Sequence, residues 1–249
     1  MLKISIITVC YNSADTIEKT IQSVIEQDYK EIEYIIVDGK STDETLAIIE
    51  KYKDRIKKII SEKDEGIYFA INKGIALASG EVIAILHADD FYANSKVISS
   101  IVKAFEAKEV DTVYGDLQYV NRADTSKLIR NWKSGEYKEG CFIKGWMPPH
   151  PSFFVRSYCY DRYGTFNTSL KSAADYEMML RLIEKQKCSI AYIPEVLVKM
   201  RVGGKSNVSL LNRLRANRED KKAWLINGLK PGMFTFILKP LSKAGQFLN

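Results

Sequence analysis

The sequence predicts an α/β protein of three layers, with helices on both faces of a mainly parallel sheet. Two observations carry that prediction. Through the first 116 residues, short apolar runs rich in β-branched side chains alternate with amphipathic stretches of helical period, the pattern of parallel strands joined by helical crossovers. No linker or low-complexity run interrupts residues 1–204 of the 249-residue chain, so they read as one unit, with residues 205–249 as an appendage.

Ile4–Cys10 is a continuous apolar run and reads as a first buried strand. Ser13 is the expected cap of a helix over Ala14–Gln27, which places Ile17, Ile21, Val24 and Ile25 on one face. Glu33–Asp38 is a second strand. Ser41 and Glu44 have capping-box spacing for a helix over Asp43–Tyr52. Ile56–Ser61 is a third strand, residues 67–79 a third helix ended by Gly80, and Val82–Leu86 a fourth strand. A helix near 95–107 and a strand near Thr112–Asp116 follow. The second half is less regular: Trp132, a Gly/Trp/Pro segment from Lys144 to Pro151, a strand at Ser152–Val155, a helix near Ala173–Gln186, and strand and loop over 189–202.

Hydrophobic residues make up 46% and charged residues 27%, an ordinary globular balance. No run of about 20 apolar residues is available to span a bilayer, and the N-terminus reads as a strand and not as a signal peptide. Cysteines stand at 10, 141, 159 and 188 with no CxxC pair, and there are two histidines, so a zinc site is not expected and the thiols read as reduced. The net charge of +6 is uneven: residues 201–249 hold ten Lys and Arg against two acids, which leaves residues 1–200 at −2. That basic segment interleaves Leu210, Leu211, Leu214 and Trp224 with cations, so it is either an interfacial helix at an anionic membrane surface or a helix packed back on the domain. It matches no nucleic-acid-binding module.

Ligands of open α/β sheets collect outside the carboxyl ends of the strands. Here those ends are polar: Thr8 to Asn12, Asp38 to Asp43, Ser61 to Gly66, and Asp89-Asp90. Each has a plain structural reading as turn or cap chemistry, but they recur on one edge. Two adjacent acids after a buried strand repel each other and lose hydration, and Mg²⁺ or Mn²⁺ bridging them to a diphosphate relieves both effects. No GxGxxG or GxxxxGK[ST] occurs, and the first strand–helix loop, Cys10 to Asp15, has no glycine, so a cation would have to hold any diphosphate.

Taken in order, SIITVCYN, IIVDGKSTDET, SEKDEGIYFAINKGIALASGE, IAILHADD, HPSFFVR and AADYEMMLRL resemble the inverting family 2 glycosyltransferases of GT-A fold, above all those that build bacterial surface polysaccharides. The resemblance spans about residues 3–204. It implies a nucleotide-binding half over 1–116, an acceptor half over 117–204, and inverting transfer of a sugar from a nucleotide-sugar, a UDP-sugar first, to a glycan or lipid-linked hydroxyl. It implies that Thr8, Tyr11, Asn12, Asp38, Ser41, Asp64, Gly66, Asn72, Lys73 and Asp89 contact the donor nucleotide, that Asp89 and Asp90 hold Mn²⁺ or Mg²⁺, and that Asp175 is the general base. His87 stands where many relatives have an acid or Asn. It and His150, Glu177 and Arg201 are further substrate contacts by the same comparison, each with a packing role as the alternative. Arg201, Gly203, Gly204 and Ser206 resemble a mobile loop, with Arg201 or Lys205 offsetting diphosphate charge. Trp132, Trp146 and Tyr176 are either sugar-stacking or core. The expected location is the cytoplasm, with peripheral contact at the inner membrane through the tail. The rivals are a sugar nucleotidyltransferase, which needs a Gly-rich basic first loop, and an inert relative, which the intact Asp89, Asp90 and Asp175 argue against.

Overall fold

Among the described residues nine strands form one sheet. The computed structural model describes residues 1–203 and 210–242; Gly204, Lys205, Ser206 and the tail beyond 242 lie outside the described residues. The strands are β1 (Ile4–Cys10), β2 (Ile32–Asp38), β3 (Lys58–Ser61), β4 (Val82–Ile85), β5 (Asp90–Tyr92), β6 (Thr112–Val120), β7 (Leu128–Trp132), β8 (Phe153–Arg156) and β9 (Ile190–Arg201). Their order is β3-β2-β1-β4-β8-β6-β9-β5. The first four are mutually parallel, so Cys10, Asp38 and Ser61 stand level at one edge. From β4 onward the sheet is mixed: β8 lies antiparallel between β4 and β6, and β9 runs parallel to β6.

The helices are α1 (Ile17–Ile25), α2 (Thr45–Glu50), α3 (Ile67–Leu77), α4 (Val97–Lys108), α5 (Ser157–Tyr163), α6 (Ala174–Leu180), α7 (Leu210–Ile226) and α8 (Thr235–Ser242). A wider π-turn, Arg181–Lys185, continues α6. On the sheet, α3 lies against β1 and β2, and α4 against β6 and β9. Ile17, Ile21 and Val24 of α1 are buried as their spacing predicts.

Two predicted caps are replaced. α1 starts three residues late, and the main-chain carbonyl of Ser13, not its hydroxyl, accepts the amides of Thr16 and Ile17 at 3.0 and 2.9 Å. The Ser41–Glu44 capping box does not form, because the Ser41 hydroxyl donates to Asp38. Asp43 serves instead, accepting the Thr45 amide and the Ala14 amide at 3.1 Å each.

The C-terminal segment is packed, not free. On α7, Trp224 donates from Nε1 to the Tyr176 hydroxyl at 2.9 Å, and Asn227 donates to Glu177 at 2.9 Å. Lys239 on α8 pairs with Asp220 at 2.6 Å and lies 3.6 Å from the centre of the Tyr176 ring. Glu219 accepts the amides of Lys171 and Ser172. The described part of the tail thus takes the packed alternative, and α6 is sandwiched beneath it. Trp132, Trp146 and Tyr176 are core aromatics: Trp146 meets Tyr114, Tyr137 and Phe142, and Tyr176 meets Phe142.

Candidate functional site

The carboxyl edge of the parallel strands divides its polar residues into those already committed within the protein and those left open. Asp38 is fully buried. Its carboxylate accepts the Ser41 amide at 3.0 Å, the Ser41 hydroxyl and the Ser61 hydroxyl at 2.6 Å. It therefore ties together the ends of β2 and β3 at the edge where the sequence places a base or ribose contact. Thr8 is likewise buried, and its hydroxyl accepts from Tyr34 at 3.1 Å. Asn12 takes a left-handed φ of 49°. Its amide reaches the Ser41 hydroxyl at 2.8 Å and its side-chain oxygen accepts the Thr42 amide at 2.9 Å, which binds the first loop to the second. Tyr11, on that same loop, is 52% exposed and faces solvent at the edge.

The next segment is organised around Lys73. Its Nζ pairs with Glu62 at 2.5 Å and Asp64 at 2.6 Å, and the second oxygen of Asp64 is buried with no partner. Gly66 precedes α3 at φ 154°, ψ 170°, a conformation that side chains exclude, so glycine is required where the chain turns from the loop into α3. The side-chain amide group of Asn72 exchanges two hydrogen bonds with the main chain of Phe166, at 2.8 and 2.9 Å.

At the end of β4 the two acids diverge. Asp89 is half-buried, whereas Asp90 is fully buried on β5. Both Asp90 oxygens lack any hydrogen-bond partner. Burial, then the neighbouring Asp89, push the Asp90 carboxyl well above the usual carboxylate range, opposed only by Arg201. What separates Asp90 from Asp38 is not burial but unused hydrogen-bonding capacity. Arg201 is buried behind this pair, donating to the Asp89 carbonyl at 2.8 Å, and lines a cavity of about 480 Å³ with Lys19 and Arg122.

The antiparallel pairing of β4 with β8 sets Ala84 opposite Phe154, which brings His87, just past β4, to His150, just before β8. Their Nε2 atoms lie 2.7 Å apart. His150 Nδ1 is 3.3 Å from Asp175 Oδ2 at the start of α6, and Tyr68 on α3 donates to Asp175 Oδ1 at 3.2 Å. Burial lowers the basicity of both rings, that of His87 to about 3, with His150 adding to the effect. Three residues from separate parts of the sequence thus meet beside the two acids. Glu177 does not join them. It is buried, held by Arg181 at 3.0 Å and Asn227 at 2.9 Å, and fastens α6 to α7.

The sequence reasoning missed Tyr68. It follows Gly66-Ile67 on the first turn of α3, and only a tertiary contact reveals its bond to Asp175. It also missed Glu33, buried at the opposite edge among Ser5, Ser79 and Lys3. Among the described residues no three His, Cys, Asp or Glu side chains converge as a ready metal site.

Comparison with known proteins gives a family match, two relatives and two solved structures of similar fold. The family model "Glycosyl transferase family 2" matches residues 5–161. An uncharacterized glycosyltransferase of Mycobacterium tuberculosis (strain H37Rv) is 30% identical over 187 residues, covering 72% of this chain and 68% of its own length. The UDP-Glc:alpha-D-GlcNAc-diphosphoundecaprenol beta-1,3-glucosyltransferase WfaP of Escherichia coli is 42% identical over 99 residues, 39% of each chain. Among solved structures, S. aureus TarS 1-349 in complex with UDP-GlcNAc superposes with a TM-score of 0.71 at 19% identity, over 91% of this chain and 65% of that one. The mannosyltransferase PcManGT of Pyrobaculum calidifontis, in complex with GDP-Man and Mn²⁺, gives 0.67 at 21% identity, over 95% and 68%. The chain thus spans about two thirds of the length of these solved relatives.

Proposed function

We propose, since this chain belongs to glycosyl transferase family 2 and has the GT-A fold, that it transfers a sugar with inversion from a nucleotide-sugar, a UDP-sugar first, to a hydroxyl of a glycan or lipid-linked acceptor. One observation carries the reading: His87, just past β4 and two residues before Asp89, meets His150, which in turn meets Asp175 at the start of α6, so the candidate base stands close to the acids that follow β4. Inverting transfer needs a base facing the leaving group across the sugar. Asp175, with its side chain 21% exposed, reaches the cleft while two neighbours fix its oxygens.

Tyr11 supplies an exposed ring beside the first loop, suited to a nucleobase face. Asp38, Ser41 and Asn12 act one step back by holding the loops that shape the nucleotide cradle. The residues fit a divalent cation: Asp89 is half-buried beside Asp90, and both Asp90 oxygens are buried without a hydrogen-bond partner, with Arg201 the one opposing charge that acts on them among the described residues. Asp89 and Asp90 would hold Mn²⁺ or Mg²⁺, which would supply positive charge to the leaving diphosphate. Asp175 takes the acceptor proton as the new bond forms.

The structural relatives in complex with UDP-GlcNAc and with GDP-Man support a nucleotide-sugar donor, and WfaP supports a lipid-linked acceptor. An acceptor of that kind favours peripheral contact with the inner face of the cytoplasmic membrane. Exposed Leu225, Met233, Phe234 and Leu238 beside exposed Lys221, Lys222 and Lys230 offer such a surface.

A thermal-shift panel of UDP, UDP-glucose and GDP-mannose, with and without Mn²⁺, tests the reading. A ligand at one hundred times its Kd stabilises by about 2.7 kcal/mol; no shift with any of the three would reject it. Asp175→Asn should lower transfer by about 10²–10⁴-fold with donor binding unchanged. Met233→Ser with Phe234→Ser should weaken binding to anionic vesicles, and equal binding by the wild type and this pair would remove the membrane part.

A further inference from the structure

Two ring nitrogens 2.7 Å apart, as in His87 and His150, form a hydrogen bond only if one carries a proton and the other is bare. The second nitrogen of His150 decides which. Its Nδ1 faces Asp175 Oδ2 at 3.3 Å, and a bare nitrogen there would meet a carboxylate lone pair to lone pair. His150 therefore carries its proton on Nδ1 and donates it to Asp175. Burial lowers the basicity of that ring against the opposing charges of Asp175 and Asp89; in the neutral ring, with its one proton on the nitrogen that faces Asp175, His150 Nε2 is bare and His87 is the donor across the 2.7 Å contact. His87 Nδ1 is then bare as well, in keeping with its burial without a partner.

The geometry points to a hydrogen-bond chain with one fixed direction, from His87 Nε2–H to His150 and from His150 Nδ1–H to Asp175, in which His150 is a positioning residue for the base. The inference rests on the assignment of Asp175 above. Tyr68 gives Asp175 Oδ1 its own donor at 3.2 Å, so each oxygen has one bond and the plane of the carboxylate is fixed. Each oxygen keeps a lone pair for an acceptor hydroxyl. His87 serves as the far anchor: by donating from Nε2 it forces the tautomer of His150 that Asp175 needs.

With two histidines in the chain, ¹⁵N-histidine labelling and long-range ¹H–¹⁵N correlation read every ring nitrogen directly. Near neutral pH, one ring should be the Nδ1–H tautomer and the other the Nε2–H tautomer, with His87→Gln assigning them. His150 as the Nε2–H tautomer, or as a charged ring, would overturn the chain. Kinetics of UDP-glucose hydrolysis with Mn²⁺ supply the second arm. His150→Leu should lower kcat by about 10–100-fold, the usual effect of removing a group that orients a functional one, with KM for UDP-glucose changed less than twofold. His150→Asn, whose amide nitrogen overlies Nδ1, should restore most of it. Equal losses in both variants would remove the positioning role. Failure of the wild type to bind UDP counts against the functional reading alone, because the tautomers are measured without substrate.

Discussion

Trp224→Ala tests whether the C-terminal helices are part of the catalytic unit. Trp224 is 2% exposed, and its indole N–H is the donor to the Tyr176 hydroxyl one residue beyond Asp175. Truncating a buried aromatic side chain to Ala typically removes about 3–5 kcal/mol through lost burial and the cavity left behind. In a chain of this size each kcal/mol moves the melting temperature by about 2–4 °C, so the drop should be about 6–20 °C. Trp224→Phe keeps most of the ring and loses the N–H, which is worth about 1 kcal/mol, so it should fall between the two. Differential scanning calorimetry and far-UV circular dichroism should both give one transition, shifted as a whole. A melting point equal to the wild type's, or a separate early transition for the tail with the rest unmoved, would refute the packing argument.

Burial works against ionised Glu33, but its bonds to Ser5, Ser79 and Lys3 outweigh it and lower the carboxyl from 4.5 to about 2. A depressed folded value means stability that is full above about 4.5 and lost as pH falls toward 2; the gap corresponds to about 3 kcal/mol. Glu33→Gln should lower stability by roughly that amount near neutral pH and flatten its acid dependence, measured by urea unfolding from pH 7 downward. Gly145 sits at φ 82°, and an added Cβ would stand 2.4 Å from the Lys239 amide nitrogen. Gly145→Ala should therefore destabilise by about 1–3 kcal/mol; an unchanged melting point would mean α8 does not dock there. Asp90 has a raised folded value, so it destabilises increasingly as pH climbs above its unfolded value of about 3.9. Asp90→Asn should raise the melting temperature of the metal-free protein at neutral pH and remove the Mn²⁺-dependent part of UDP stabilisation; a fall in melting temperature would show that the carboxylate has a stabilising partner.

The parallel half was legible because its signals are local. Ile4–Cys10 as a strand and Ile17, Ile21 and Val24 as a buried face need only the period of the apolar residues. β5 and β7 were not legible, since three and five residues with no clean alternation carry too little pattern, and their pairing to β9 and β6 is tertiary. In the candidate site, the polar strand ends do lie level at one edge, as read from the sequence, but the state of each side chain was not legible. Asp38 and Asp90 look alike as acids at strand ends, yet one accepts three strong donors and the other none. Ser41 and Glu44 have good capping spacing, but a buried carboxylate competes for the Ser41 hydroxyl and wins. For the basic tail the sequence left surface contact and packing both open, because nothing in one dimension shows that Trp224 and Lys239 meet Tyr176 and Asp220.

The seam between β4 and β8 bears on how the protein moves. Sheet hydrogen bonds cross directly from the parallel strands of the first half to β8 of the second, with Val82, Ile83 and Ala84 opposite Arg156, Val155 and Phe154. Such a junction leaves no hinge about which the two halves could swing, because bending it would break the ladder that binds them. Opening and closing around a substrate must then be carried by short loops at the rim, such as the turn at Gly66. Loop motions of that kind are faster than domain closure, and the sheet of a donor-loaded crystal should superpose on that of the empty protein strand for strand.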